Sequence, residues 1–279
     1  MRIVKLVAIV ALTITACATT KPAPSPQLML YVFDCGSIEL DDISDFGLSN
    51  DETPVRELFV PCYLIVHGSD RLLWDAGLPL TLAGAGEQEL QPGARVNYAN
   101  SLLNQLAELG IAPGEIEMVA FSHMHFDHVG AANAFSNATL LIQEAEYLAA
   151  FENAEDYPIF QLELYNELAD NPRITLSGDH DVFGDGSVRI ISAPGHTPGH
   201  QVLQLELANM GTLILSGDLY HFAESRALRR IPVFNTSKED TLRSMDKVEA
   251  IIKATGATFW IGHERALADT LNLAPAFYD

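Results

Sequence analysis

Positive charge is scarce in this chain. Lys and Arg number 16 against 37 Asp and Glu, which leaves 279 residues with a formal net charge of −21. A surface of that sign repels a phosphate backbone, so nucleic acid is excluded as a partner. It suits a neutral or apolar small molecule. Cysteine is nearly absent as well, at three residues. Cys35 and Cys62 each sit in a strand-like apolar run, where a buried free thiol is the expected state, although an export route would permit a disulfide. No apolar run is long enough to span a bilayer as a helix. There is no internal repeat or low-complexity tract, which removes solenoid and linker architectures. At 48% hydrophobic residues the chain can bury one sizeable core.

The N-terminus has the composition of a targeting segment. Arg2 and Lys5 precede the short apolar stretch Leu6–Ile14, and Ile14-Thr-Ala-Cys17 resembles a bacterial lipobox. The expectation is a signal peptide over 1–16, lipid on Cys17, a Pro-rich extended tether over 17–27 and one folded domain over 28–279. Ala18 rather than Asp after Cys17 points to the outer membrane, facing the periplasm. Loss of Arg2 and Lys5 with the leader takes the net charge near −23.

What the chain does have is a dense set of metal ligands. His123-Met124-His125-Phe126-Asp127-His128 places four of them within six residues, directly after the apolar run Ile116–Phe121. Three more lie in glycine-flanked turns: His196 in Pro194-Gly-His-Thr-Pro-Gly-His200, Asp218 in Ser216-Gly-Asp218, and His263 in Ile261-Gly-His263. Zinc takes about four ligands, so seven suit two ions sharing a carboxylate and activating a water between them. Neutral imidazole and carboxylate accept Zn, with Fe, Co or Mn as alternatives.

This pattern resembles the metallo-β-lactamase superfamily. Leu30-Tyr-Val-Phe-Asp-Cys-Gly36, Val60-Pro-Cys-Tyr-Leu-Ile65, Leu73-Trp-Asp-Ala-Gly77 and the His-Phe-Asp-His form of the motif are similar to the N-acyl-homoserine lactonases within it. The resemblance runs from about residue 28 to the C-terminus. It implies an αββα sandwich of two mixed sheets flanked by helices, within the α/β (α+β) class. It implies that His123, His125 and His196 hold one ion, that Asp127, His128 and His263 hold a second, and that Asp218 bridges them. It further implies hydroxide attack on a lactone carbonyl, with Asp127 passing a proton to the leaving alkoxide. Members of the family carry a tyrosine near the bridging Asp, three residues on. Tyr220, two residues on, is the favoured donor to the carbonyl oxygen, and His221 is the alternative.

Supporting roles follow. His200 and Asp75 are expected behind the ligands, orienting them. Gly195 and Gly199 would allow tight turns around His196. His67 and His180 are expected at the surface. Three stretches lack a regular pattern: Ser37–Glu57, Asn153–Asn171 and His221–Thr236. From them Phe46, His221, Phe222 and Phe234 are candidates for the substrate pocket; a subunit contact in a homodimer is the other use of such loops.

Regular elements alternate elsewhere. Leu28–Phe33, Leu58–Val66, Arg71–Asp75, Ile116–Phe121, Thr139–Gln143, Ser187–Ser192, Gln201–Leu207, Thr212–Ser216 and Thr258–Ile261 have strand character. Helices are predicted over Asn97–Leu109, with Gly110 as a stop, and over Glu144–Ala150. A third runs from the cap-like Ser237-Lys-Glu-Asp240 to Lys253.

Other chemistries on the same scaffold fit less well. Sixteen residues follow His263, too few for the glutathione-binding region of a glyoxalase II thioesterase. A β-lactamase would lack the bridging Asp, and a flavodiiron reductase would have Glu where His125 stands. A lipoprotein that only binds metal is the non-enzymatic alternative.

Overall fold

The computed structural model describes residues 27–279. The signal peptide, Cys17 and the tether up to residue 26 lie outside them. One sheet contains β1 (Leu28–Leu40), β2 (Glu57–His67), β3 (Asp70–Trp74), β4 (Gln88–Gln91), β5 (Ala94–Asn97), β6 (Met118–Ala120), β7 (Thr139–Gln143) and β8 (Arg173–Leu176). Its order is β4-β5-β1-β2-β3-β6-β7-β8. The second contains β9 (His180–Asp181), β10 (Val188–Ser192), β11 (Gln201–Leu207), β12 (Gly211–Leu215) and β13 (Thr258–Trp260), in the order β13-β12-β11-β10-β9. A last short strand, β14 (Phe277–Tyr278), pairs with β1. The helices are α1 (Leu102–Glu108), α2 (Phe126–Val129), α3 (Glu144–Tyr147), α4 (Ala223–Leu228), α5 (Lys238–Thr255) and α6 (Arg265–Ala268). Among the described residues no helix is long and apolar enough to cross a membrane.

The period of two along each strand builds the layers. In β3, Leu72 and Trp74 enter the core shared with the second sheet, and Leu73 faces the helical layer with Leu102 and Leu106 of α1. In β12, Leu213 and Leu215 enter the shared core, while Ile214 packs with Met245 and Val248 of α5. Both faces of the central strands are buried, which is why β2 is apolar nearly throughout rather than alternating. Each such side chain contributes about 1.5–3 kcal/mol by leaving water. The result is two mixed β-sheets flanked by helices, the αββα sandwich.

Several boundaries differ from the sequence reading. The helix predicted from Asn97 begins at Leu102. Ala94–Asn97 pairs instead with Ser37–Leu40 of β1, and Ser101 caps the helix by accepting the Asn104 N–H at 3.2 Å. Strand β1 continues through a bulge between Asp34 and Ser37 into the stretch read as irregular. Strands β4 and β8 escaped notice because their side chains are largely exposed at sheet edges. The predicted Glu144–Ala150 helix is four residues of α-helix followed by a π-helical turn over Leu148–Glu152. Ser237 does cap α5, accepting the Asp240 N–H at 3.2 Å.

The free-thiol expectation is overturned. Cys35 and Cys62 form a disulfide, with Cα atoms 5.9 Å apart. In the observed register Phe33 pairs with Cys62, and Cys35 follows two residues on, within the bulge between Asp34 and Ser37. His67 is also not a free surface histidine: it bonds Asp185 at 2.9 Å and stacks on Phe183.

Candidate metal centre

Four loops meet at the site, each following a strand end. β6 leads into Ser122-His123, β10 into Pro194-Gly195-His196, β12 into Ser216-Gly217-Asp218, and β13 into Gly262-His263. Two glycines are required by this crossing. Gly195 has φ +134°, and a Cβ there would lie 2.2 Å from the Thr241 nitrogen. Gly217 has φ +47°, and a Cβ would lie 2.6 Å from Ser122 Cβ. Gly199 needs no unusual φ; it lets the chain pass against Glu146.

The seven ligand candidates form two sets around Asp218. On one side His196 Nε2 lies 3.1 Å from both His123 Nε2 and His125 Nδ1, and 3.2 Å from Asp218 Oδ2. On the other, His128 Nε2 and His263 Nε2 are 3.3 Å apart and lie 3.2 and 3.0 Å from Asp218 Oδ1. Asp127 Oδ2 sits 3.8 Å from His128 Nε2 and 3.7 Å from His263 Nε2. A tetrahedral ion with bonds of about 2.0–2.1 Å separates its ligands by about 3.3 Å, the spacing seen here.

Three of the ligand histidines are oriented from behind. His128 Nδ1 is held by Asp75 Oδ2 and Ser122 Oγ, both at 3.1 Å. His263 Nδ1 donates to the Phe59 carbonyl at 2.7 Å, and His196 Nδ1 to Asn235 Oδ1 at 2.9 Å. These bonds leave the Nε2 lone pairs facing inward. Asp75 also accepts the Ser122 N–H at 2.6 Å and adopts φ +59°. Glu146, which sequence reasoning missed, accepts the Met124 N–H at 2.9 Å and the Gly199 N–H at 2.8 Å, tying two ligand loops together. Its signal was faint: a glutamate on the buried side of a short acidic helix. Asn235 had no signal at all.

The electrostatics favour ligation. Burial, reinforced by neighbouring imidazoles, holds His123 and His125 well below the ordinary histidine range, so both are neutral donors. Burial opposes charge on His128 too, but Asp218, Asp127 and Asp75 outweigh it and raise that imidazole. Burial would raise Asp218; His263, His128, His221 and His123 reverse this and hold it ionised. Its Oδ1 is buried without a hydrogen-bond partner. An orphaned carboxylate oxygen between two convergent imidazoles is what a cation would satisfy.

A cavity of about 390 Å³ opens from this cluster. His125, Asp127, Asp218, His221 and His263 form its floor. Phe46 and Phe234 line it, as the sequence reading placed them, but Phe222 does not. Phe222 is fully buried in the core behind Phe46, edge-on at 5.6 Å. Tyr220 is corrected as well: its hydroxyl bonds Glu249 at 3.3 Å, and the residue packs with Met245 and Val248. His221 faces the site, with Nε2 3.0 Å from Asp218 Oδ2 and its ring stacked on His263 at 5.5 Å. One step along the chain, from Tyr220 to His221, reverses which side a side chain takes.

An αββα sandwich with two His/Asp ligand sets sharing one carboxylate at its loop rim defines a metal-dependent hydrolase class. The profile of the metallo-β-lactamase superfamily matches residues 55–251, and the chain belongs to that superfamily. N-acyl homoserine lactonase AttM of Rhizobium johnstonii is 28% identical over 268 residues, covering 90% of this chain and 99% of that protein. The AiiA lactonase of Bacillus thuringiensis subsp. kurstaki is 27% identical over 246 residues, covering 84% of this chain and 92% of that protein. A crystal structure of a quorum-quenching N-acyl homoserine lactone hydrolase superposes with a TM-score of 0.76 at 25% identity, over 91% of this chain and 100% of that one.

Proposed function

We propose that this protein hydrolyses the ring ester of N-acyl homoserine lactones. Water adds across the acyl–oxygen bond, giving a carboxylate, a hydroxyl and a released proton. The observation that carries the reading is the cavity: a His/Asp cluster at its floor, apolar side chains on its wall, and among the described residues no Lys or Arg lining it. Penicillins and glutathione thioesters bring carboxylates that would find no side-chain cation there, whereas a lactone ring with an acyl chain is neutral. Relatives of nearly the same length carry the lactonase name, which supports the same choice.

Two divalent ions, zinc by donor type with Fe, Co or Mn as alternatives, would be held by His123, His125, His196, Asp218 and by Asp127, His128, His263, and would supply Lewis acidity and water activation at neutral pH. The chain's own groups divide the remaining work. Asp127, lining the cavity, passes a proton to the leaving oxygen. His221 donates from Nε2 to the carbonyl oxygen as charge builds. Phe46 packs edge-on to the His221 ring at 4.9 Å and limits its swing.

Incubating metal-loaded protein with acyl-homoserine lactones, a simple γ-lactone, a thioester and a penicillin tests the reading by mass. Acyl-homoserine lactones should gain one water. Turnover of the penicillin or thioester alone would overturn it. The same reading anchors the protein by lipid on Cys17 at the periplasmic face of the outer membrane. Cys17→Ala should then move it from the membrane pellet to the soluble fraction, and unchanged partitioning would refute the anchor.

A further inference from the structure

The cavity mouth is lopsided in charge. Asp41, Asp42 and Asp45 line it on one side, all with exposed side chains. Leu90 and Ile159 line it too and are about two-fifths exposed, so the rim offers an apolar surface beside an anionic one. Positive charge nearby is already engaged. Arg95 lies 3.1 Å from Glu39 and from Asp41 and 4.0 Å from Glu87. Arg56 is held by the backbone carbonyls of Asn50, Thr53 and Val55 and keeps its charge near Asp42, though it does not line the cavity. The Asp42 carboxylate accepts the Ser44 N–H at 3.1 Å and its hydroxyl at 2.7 Å, which fixes the turn. Asp45 has no ion-pair partner among the described residues. At the floor of the same cavity the buried Asp218 Oδ1 is unpartnered, so the rim guards a ligand-binding floor.

We propose that Asp41, Asp42 and Asp45 act as a charge filter, admitting uncharged apolar-tailed esters and turning away those whose tails carry a carboxylate. The inference rests on the lactone reading and narrows its substrate class. The chemistry gives the filter a second effect. Ring opening converts a neutral substrate into a carboxylate and a proton, so the product alone is repelled by the rim and leaves more readily. Clefts lined by one sign of charge change local ligand concentration in this way, and salt weakens the effect over about 8–10 Å.

The test compares two γ-lactones of equal acyl length, one ending in methyl and one in carboxylate, at low and high salt. The ratio of their kcat/KM values is the readout. Wild type should favour the neutral lactone by about tenfold at low salt, and high salt should shrink the ratio. Asp45→Asn should lower it, and Asp41→Asn, Asp42→Asn and Asp45→Asn together should bring it near one. A ratio that neither salt nor these substitutions move overturns the filter. Calorimetric binding of the matching γ-lactams separates the two claims. Binding of the neutral lactam over the anionic one, without opening of any lactone, keeps the filter and sinks the lactonase reading. Equal binding of both, or of neither, sinks the filter.

Discussion

His200 Nε2 accepts the backbone N–H of Asp218 at 2.9 Å, while its Nδ1 donates to the Ala193 carbonyl at 2.9 Å. Both ring nitrogens are committed, and burial, with His196 close by, pushes the imidazole down to about 3. His200 is therefore a neutral acceptor that pins Asp218, the carboxylate reaching both histidine sets, and is not itself a ligand.

His200→Ala should leave that buried N–H unpaired, at a cost of about 1–3 kcal/mol. Metal affinity should fall by about 10- to 100-fold, as for other groups that orient ligands from behind. His200→Gln, which keeps an acceptor, should recover part of both. Chelator competition and thermal melts read the two effects; wild-type affinity in the alanine variant would remove the assigned role.

Asp218→Asn and His125→Ala should each strip metal and abolish hydrolysis. Asparagine replaces a carboxylate whose two oxygens lie 3.0–3.2 Å from histidines on either side with a neutral amide that has one acceptor oxygen. Elemental analysis after dialysis, run beside the ring-opening assay, gives the answer. Full activity in either variant would defeat the ligand assignment.

Reducing the Cys35–Cys62 bond, or substituting Cys62→Ser, should destabilise the fold by about 3 kcal/mol, the loop-closure value for a span of this order; the separation is 27 residues. The drop would appear in the thermal midpoint. Two titratable thiols in the unreduced protein, with an unmoved midpoint, would contradict the bond.

Acid should weaken the turn that Asp185 holds through Ser187, and with it the contact to His67. Hydrogen bonds from Ser187, with His67 adding to them, lower the Asp185 carboxylate to about 2. A depressed folded value favours folding above the unfolded range near 4 and loses that contribution as pH falls toward about 2. Urea midpoints measured across this window should fall more steeply for wild type than for Asp185→Asn. Parallel curves would show that the pair is uncoupled from folding.

Much of the fold was legible because its signals are local. Leu140–Ile142 is an apolar run too short for a helix, and Gln201–Leu207 has a strand's length, with Val202, Leu203, Leu205 and Leu207 apolar and only Gln204 and Glu206 between them. Ser237 announces α5 through its own side chain, and Gly256 ends it with φ +70°. Illegible elements were those made by pairing. Ala94–Asn97 becomes a strand only because Ser37–Leu40 presents an edge to it.

The site divides in the same way. His123, His125, Asp127 and His128 declare themselves by spacing, since neighbours on one loop reach a common point whatever the rest of the chain does. Glu146 and Asn235 did not, because a hydrogen bond to a ligand loop 22 or 39 residues away leaves no mark on local composition.

The order of residues alone determined the donor types, the acidic surface and the alternation that stacks two sheets between helices. Tertiary structure decided which oxygen of Asp218 meets which histidines, that His221 rather than Tyr220 faces the cavity, and that the two cysteines join. Those outcomes depend on the direction a side chain takes when distant segments pack. A bulge or a single step of chain reverses that direction at little cost to local propensity.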